Sequence, residues 1–153
     1  MQAAIEANSP VPAHSSIARG MLRALTAAAL CLGLVATGAI AASTDRNVVT
    51  LEFARAQVEA GSVILIDIRE PREQASGVVA GARLLPMSQI NQRLREIPTD
   101  PNKEVLLICN SQNRSSAVLR ALRDTGGYTN VRYVEGGMSE WVRRGWPTVK
   151  PDA

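Results

Sequence analysis

Histidine is almost missing from this chain: among 153 residues there is one, His14. Cysteine is nearly as scarce, with Cys31 and Cys109, and aromatic residues make up 3% of the sequence. Each shortage excludes something. A metal site needs several converging Cys, His or carboxylate ligands, so no metal is expected. No Cys-x-x-Cys is present, which removes a thioredoxin-type redox motif. With few aromatics, a core must be built from Val, Ile, Leu and Ala. Basic residues outnumber acidic ones by 17 to 14, but they are interspersed and form no run. A nucleic-acid partner is therefore not expected, whereas small anions suit the mildly positive balance. The length is that of one domain.

The N-terminal part reads as targeting sequence. In "MLRALTAAALCLGLVATGAIAAS" (21–43), Arg23 precedes an apolar stretch from Leu25 to Val35, Gly38 breaks it, and Ala39-Ile40-Ala41 supplies the small residues of a cleavage site. This is the pattern of a secretory signal peptide. The alternative is an uncleaved membrane anchor, since residues 24–42 carry no charge. Either way the domain is exported, to the periplasm or outside the cell. Residues 1–20 contain Glu6, Pro10, Pro12 and His14 and fit an n-region poorly. Either Met21 is the true start or these residues are a long n-region. The expected division is 1–42 as extension and signal peptide, 43–48 as linker and 49–150 as the folded domain. Removing residues 1–42 takes away Arg19, Arg23 and Glu6 and lowers the net charge from +3 to +2. It also takes away His14 and Cys31, so Cys109 is left without an internal disulfide partner or a histidine.

Beyond residue 48, short apolar strands alternate with helices. "TLEFARAQVEAG" (50–61) predicts a helix capped by Thr50 and stopped at Gly61. "VILIDI" (63–68) and "EVLLI" (104–108) are continuous apolar runs, as in strands buried on both faces. "REPREQ" places Pro71 in the first turn of a short helix. "ARLLP" (82–86) reads as a short strand. "SQINQRLREI" (88–97) predicts a helix capped by Ser88, with Ile90, Leu94 and Ile97 on one face. A helix is expected from Arg114 to Thr125, ended by Gly126-Gly127. "NVRYVEGG" (130–137) gives a last strand, and "MSEWVRRGWP" (138–147) a closing helix. Alternating elements with buried strands imply an α/β fold: a short, mainly parallel five-stranded sheet with helices on both faces. Ligands of such sheets bind beyond the carboxyl ends of the strands.

Cys109 stands at such an end, in "CNSQNRSS" (109–116). One reading is a buried structural cysteine at a strand end. The other is a nucleophile. Thiolate is the reactive form, with an ordinary thiol pKa of about 8.5, and no histidine is at hand to activate it, so the Cys–His dyad of cysteine proteases is excluded. A helix start and a nest of backbone amides can do the same work. Arg114 adds a fixed cation with forked donors. The candidate site is therefore Cys109 with a loop of Asn110, Ser111, Gln112, Asn113, Arg114 and Ser115. Asp67 and Arg69 could support it, or could form only a structural ion pair or a solvated turn, as could Glu70. Trp141 and Trp146 read as core, and Gly136-Gly137 as a tight turn.

Three stretches together resemble single-domain rhodaneses, the thiosulfate sulfurtransferase-like family: "LIDIREPREQASGVVAGA" (65–82), "VLLICNSQNRSS" (105–116) and "GGYTNVRYVEGGMSEWVRRGWP" (126–147). The resemblance implies a double displacement without a cofactor. Cys109 would take the outer sulfur of thiosulfate or another sulfane donor, and cyanide or a thiol would then remove it from the Cys109 persulfide. The amides of 110–115 would hold the anionic terminal sulfur, and Arg114 would attract the donor's sulfonate and support the loop. Phosphatases and arsenate reductases on this fold resemble Cys-x5-Arg; the Cys-x4-Arg spacing here is one residue shorter and favours sulfur. A non-catalytic binding module and a protein-to-protein sulfur relay are the competing readings.

Two departures from the family pattern stand out. Gln112 occupies a position where the family's loop often has Gly. If φ is positive there, the cost is roughly 1–2 kcal/mol; otherwise the loop avoids that conformation, with Asn110 and Asn113 better suited to it. Val78 stands where the family usually has His, and is expected to change a structural contact.

Overall fold

The computed structural model describes residues 45–151. The expected signal peptide, its expected cleavage site and the alternative start at Met21 lie outside the described residues. Five strands form one sheet: β1 (Val48–Val49), β2 (Ile64–Asp67), β3 (Arg83–Leu84), β4 (Val105–Ile108) and β5 (Val131–Val134). Their order is β1-β5-β4-β2-β3 and every pairing is parallel. The helices are α1 (Leu51–Glu59), α2 (Pro71–Gln74), α3 (Ile90–Arg93), α4 (Asn113–Thr125) and α5 (Gly137–Arg143). The expected α/β class is thus the observed one.

The central strand explains the layering. In β4, Val105 and Leu107, followed by Cys109, point to one face, where they pack with Val118, Leu119 and Leu122 of α4 and Ile90 of α3. Leu106 and Ile108 point to the other, against Leu51 and Ala54 of α1 and Met138 and Trp141 of α5. This is the period-2 alternation of a strand between two helical layers. All four β4 residues are buried, and burying one such aliphatic side chain stabilises the fold by about 1.5–3 kcal/mol.

Local signals hold where they are self-contained. The Thr50 hydroxyl accepts from the Phe53 N–H at 3.2 Å and caps α1. Pro71 opens α2. Trp141 is buried, and Trp146 meets it edge-on with ring centroids 4.9 Å apart. Val78 is buried in an antiparallel bridge with Val149. The two-residue strand β1 was not among the strands expected.

The segment 88–97 corrects the expectation of one capped helix. It divides into a 3₁₀ turn at Met87–Gln89, one turn of α-helix in α3, and a second 3₁₀ turn at Leu94–Glu96. Ser88 caps nothing: its N–H and hydroxyl both donate to the Glu70 carboxylate, at 3.1 and 2.8 Å. Arg93 reinforces the break by bonding Gln89, Glu96 and the Leu84 carbonyl. The apolar spacing still does its work, since Ile90 and Ile97 are buried and Leu94 packs on the same core.

Candidate active site

β4 ends at Ile108, and the chain turns through residues 109–112 into α4. Cys109 therefore sits at the carboxyl edge of the sheet and just before a helix N-terminus, where anions are favoured. The residue is fully buried, with 0% exposure. Its sulfur is not left among apolar groups alone. The Gln112 N–H donates to Sγ at 3.3 Å, and the Ser115 hydroxyl lies 3.4 Å from it. Ser115 also donates to the Gln112 carbonyl at 3.0 Å. With one hydroxyl proton, Ser115 can serve that carbonyl while Cys109 is a thiol and turn to the sulfur when it is a thiolate. Burial pushes the thiol pKa up, but the Ser115 hydroxyl and the amides of Ser115, Ser111 and Gln112 outweigh it, and the thiol ends below its ordinary value.

The loop is bent by one strained residue. Gln112 has φ +134°, the one positive φ outside glycine among the described residues. Asn110 and Asn113, the residues better suited to it, do not adopt it. Such a conformation costs about 1–3 kcal/mol. The Gln112 side chain returns part of this, because its Oε1 accepts from the Gly136 N–H at 2.9 Å. A neutral hydrogen bond contributes about 0.5–1.5 kcal/mol.

The loop's carbonyls are held from below by α5. Met138 N–H donates to Cys109 O at 2.8 Å, and Ser139 N–H to Asn110 O at 2.9 Å. Gly137 makes that approach possible: a Cβ there would lie 2.4 Å from Cys109 O. The Gly136-Gly137 pair is therefore more than a turn, because it seats the loop that carries Cys109. No local pattern in the sequence signals this second duty.

Arg114 points across to α2, not to open solvent. Its two terminal nitrogens bond Glu73 at 2.7 and 2.8 Å. This pairing with Arg114 holds the Glu73 carboxyl well down, at about 2. Glu73 also accepts from the Glu70 N–H at 3.0 Å, closing the first turn of α2. Glu73 was missed at the sequence level; its signal was an acid in the first turn of a helix that follows the neighbouring strand.

Asp67 and Arg69 form a buried ion pair. Arg69 Nε and Nη2 reach the Asp67 carboxylate at 2.6–3.0 Å, with 0% and 4% exposure for the two residues. Arg69 also donates to the carbonyls of Glu73 and Gly77, at 3.2 and 2.7 Å. These bonds fasten α2 and the turn after it to β2. The pair thus supports the element that carries Glu73, and none of these bonds reaches Cys109.

Residues 50–144 match the model of the rhodanese-like domain. An uncharacterized protein of Synechocystis is 37% identical over 115 residues, covering 72% of this chain and 61% of that protein. A sulfurtransferase of Allochromatium vinosum is 40% identical over 90 residues, 59% of this chain and 81% of its own. Among solved structures, a rhodanese-related protein from Thermoplasma volcanium superposes with a TM-score of 0.59 at 26% identity, over 67% of this chain and 97% of that one. With a cysteine at the β4 edge inside a loop of amides, and a matching domain over most of the described residues, this chain belongs to the rhodanese-like family.

Proposed function

We propose that this protein is an exported sulfurtransferase that carries sulfur as a persulfide on Cys109. The observation that carries the reading is the buried thiol of Cys109 with the Gln112 amide and the Ser115 hydroxyl on its sulfur. In the first half-reaction, the thiolate attacks the outer sulfur of thiosulfate or of a persulfide donor. With thiosulfate, a Cys109 S–S bond forms, the donor's S–S bond breaks, and sulfite leaves with the bonding electron pair. In the second, cyanide or a thiol attacks the terminal sulfur, the new S–S bond breaks, and the thiolate returns. No net oxidation of the protein occurs.

The site's chemistry supports both halves. Donors that favour the thiolate also favour the anionic persulfide. Cys109 itself is buried, so the added sulfur, about 2.05 Å further out, becomes the reactive atom. Arg114 adds positive charge to the loop, tempered by Glu73. The export reading rests on the pattern in residues 21–43.

Intact mass spectrometry tests the reading. Incubation of the purified, reduced protein with thiosulfate should add one sulfur atom at Cys109, and cyanide should remove it. Cys109→Ser should take up none. Failure with thiosulfate but uptake from a thiol persulfide would make the protein a persulfide relay. Uptake from neither would sink the enzymatic reading in favour of a binding module. The mass of protein recovered after export also shows whether cleavage occurs near Ala41.

A further inference from the structure

Gln112 is placed at a cost that its visible contacts do not fully return. A glycine would adopt φ +134° without strain, yet the chain carries a long polar side chain there. That side chain spans from the nucleophile loop to the turn between β5 and α5, ending on the Gly136 N–H. The backbone of the same residue does two things. Its N–H meets Cys109 Sγ at 3.3 Å, and its carbonyl accepts from Ser115 Oγ and from the Ser116 N–H, at 3.0 and 2.8 Å. Both peptide groups flanking the strained residue are thus aimed, one at the sulfur and one at the serine beside it.

We propose that Gln112 is a positioning residue: its side chain, tethered to Gly136, locks the loop backbone so that the Gln112 N–H stays on the Cys109 sulfur. A glycine at this position would leave the peptide free to rotate, because glycine reaches many conformations at no strain. Gly136 is itself fixed, since the next residues of α5 bond the carbonyls of Cys109 and Asn110. The tether therefore ties the loop at a second point to the same rigid turn. The proposal bears on the sulfur-transfer reading only through its consequence for rate; the tether acts on the thiol whatever its later chemistry.

The pH profile of Cys109 alkylation by iodoacetamide tests this in the full-length protein and in Gln112→Ala and Gln112→Gly. Around the loop, the charged groups are Arg114 with Glu73 on the α2 side, and Glu52, Glu135, Glu140 and Arg144 at a cavity of about 320 Å³ that Gln112 borders. None of these changes in the variants. Both variants should move the alkylation midpoint up by about one pH unit, a roughly ten-fold loss of rate below it. A role confined to stability would leave the midpoint in place. Gln112→Gly relieves the strain, so it folds even if Gln112→Ala does not. An unchanged midpoint in Gln112→Gly overturns the proposal. If the midpoint shifts but the parent protein takes up no sulfur from any donor, the tether stands and the sulfur-transfer reading falls.

Discussion

At the scale of single residues, the thiol of Cys109 is set by a contest between burial and hydrogen bonding. Burial alone favours the neutral thiol, and the donors win. Ser115 is the donor whose removal reads most cleanly, since it touches both the sulfur and the Gln112 carbonyl. Ser115→Ala should raise the thiol midpoint by about 1 pH unit, the equivalent of part of a charge-assisted hydrogen bond. The thiolate fraction at neutral pH then falls, and iodoacetamide alkylation followed from pH 5 to 10 should show it. A midpoint equal to that of the parent would leave the amides as the sole source of the shift. Cys109 and its loop were identifiable in the sequence from residue type and spacing. The serine's contact was not, because it depends on where one turn of helix places a hydroxyl.

Among elements, α5 does more than close the fold. Its first amides hold the carbonyls of the loop that carries Cys109, and only a glycine fits between. Gly137→Ala should push that loop away, because the new methyl would meet Cys109 O at 2.4 Å and the backbone sits at φ +61°. The expected loss is about 2–4 kcal/mol of stability. Sulfur transfer should fall at least ~100-fold, as follows from displacing a reacting group by about 1 Å. Thermal unfolding and the transfer assay measure the two separately. Wild-type rates in this variant would show that α5 merely abuts the loop. The α3 region teaches the converse. Its apolar spacing correctly picked the buried face, but Ser88 was drawn to Glu70 from a distant turn, and a side chain so engaged cannot cap a helix.

For the whole molecule, the bond between Glu73 and Arg114 joins two elements 41 residues apart, α2 and α4. Its contribution to stability depends on pH in a defined sense. Glu73 has a folded pKa of about 2 against an ordinary 4.5. A depressed carboxyl stabilises the fold above its ordinary value, and that stabilisation is lost as pH falls from about 4.5 towards about 2. The pair is partly exposed, so its worth at neutral pH is about 1 kcal/mol or less. Glu73→Gln should therefore lose stability at pH 7 and show a shallower decline across the acid window, read by urea unfolding at several pH values. Parallel curves for the two proteins would assign the acid sensitivity to other carboxylates.

The sequence by itself determined the class of fold, the strands that are buried on both faces, the cap at Thr50, the helix start at Pro71, and Cys109 at a strand's carboxyl end. These follow from periodicity and local chemistry, which act between near neighbours in the chain. Tertiary structure alone decided the rest: that Arg114 is met by Glu73, that Asp67 and Arg69 bind each other beneath α2, that Gln112 reaches Gly136, and that Gly137 lies against Cys109. Except for Asp67 and Arg69, the two sides of each contact come from different elements. Even that pair is fixed by the carbonyls of Glu73 and Gly77, which only the folded chain brings within reach. The physical reason is that a side chain's partner is set by which strand edges adjoin in the sheet, and the order β1-β5-β4-β2-β3 is not the order of the chain.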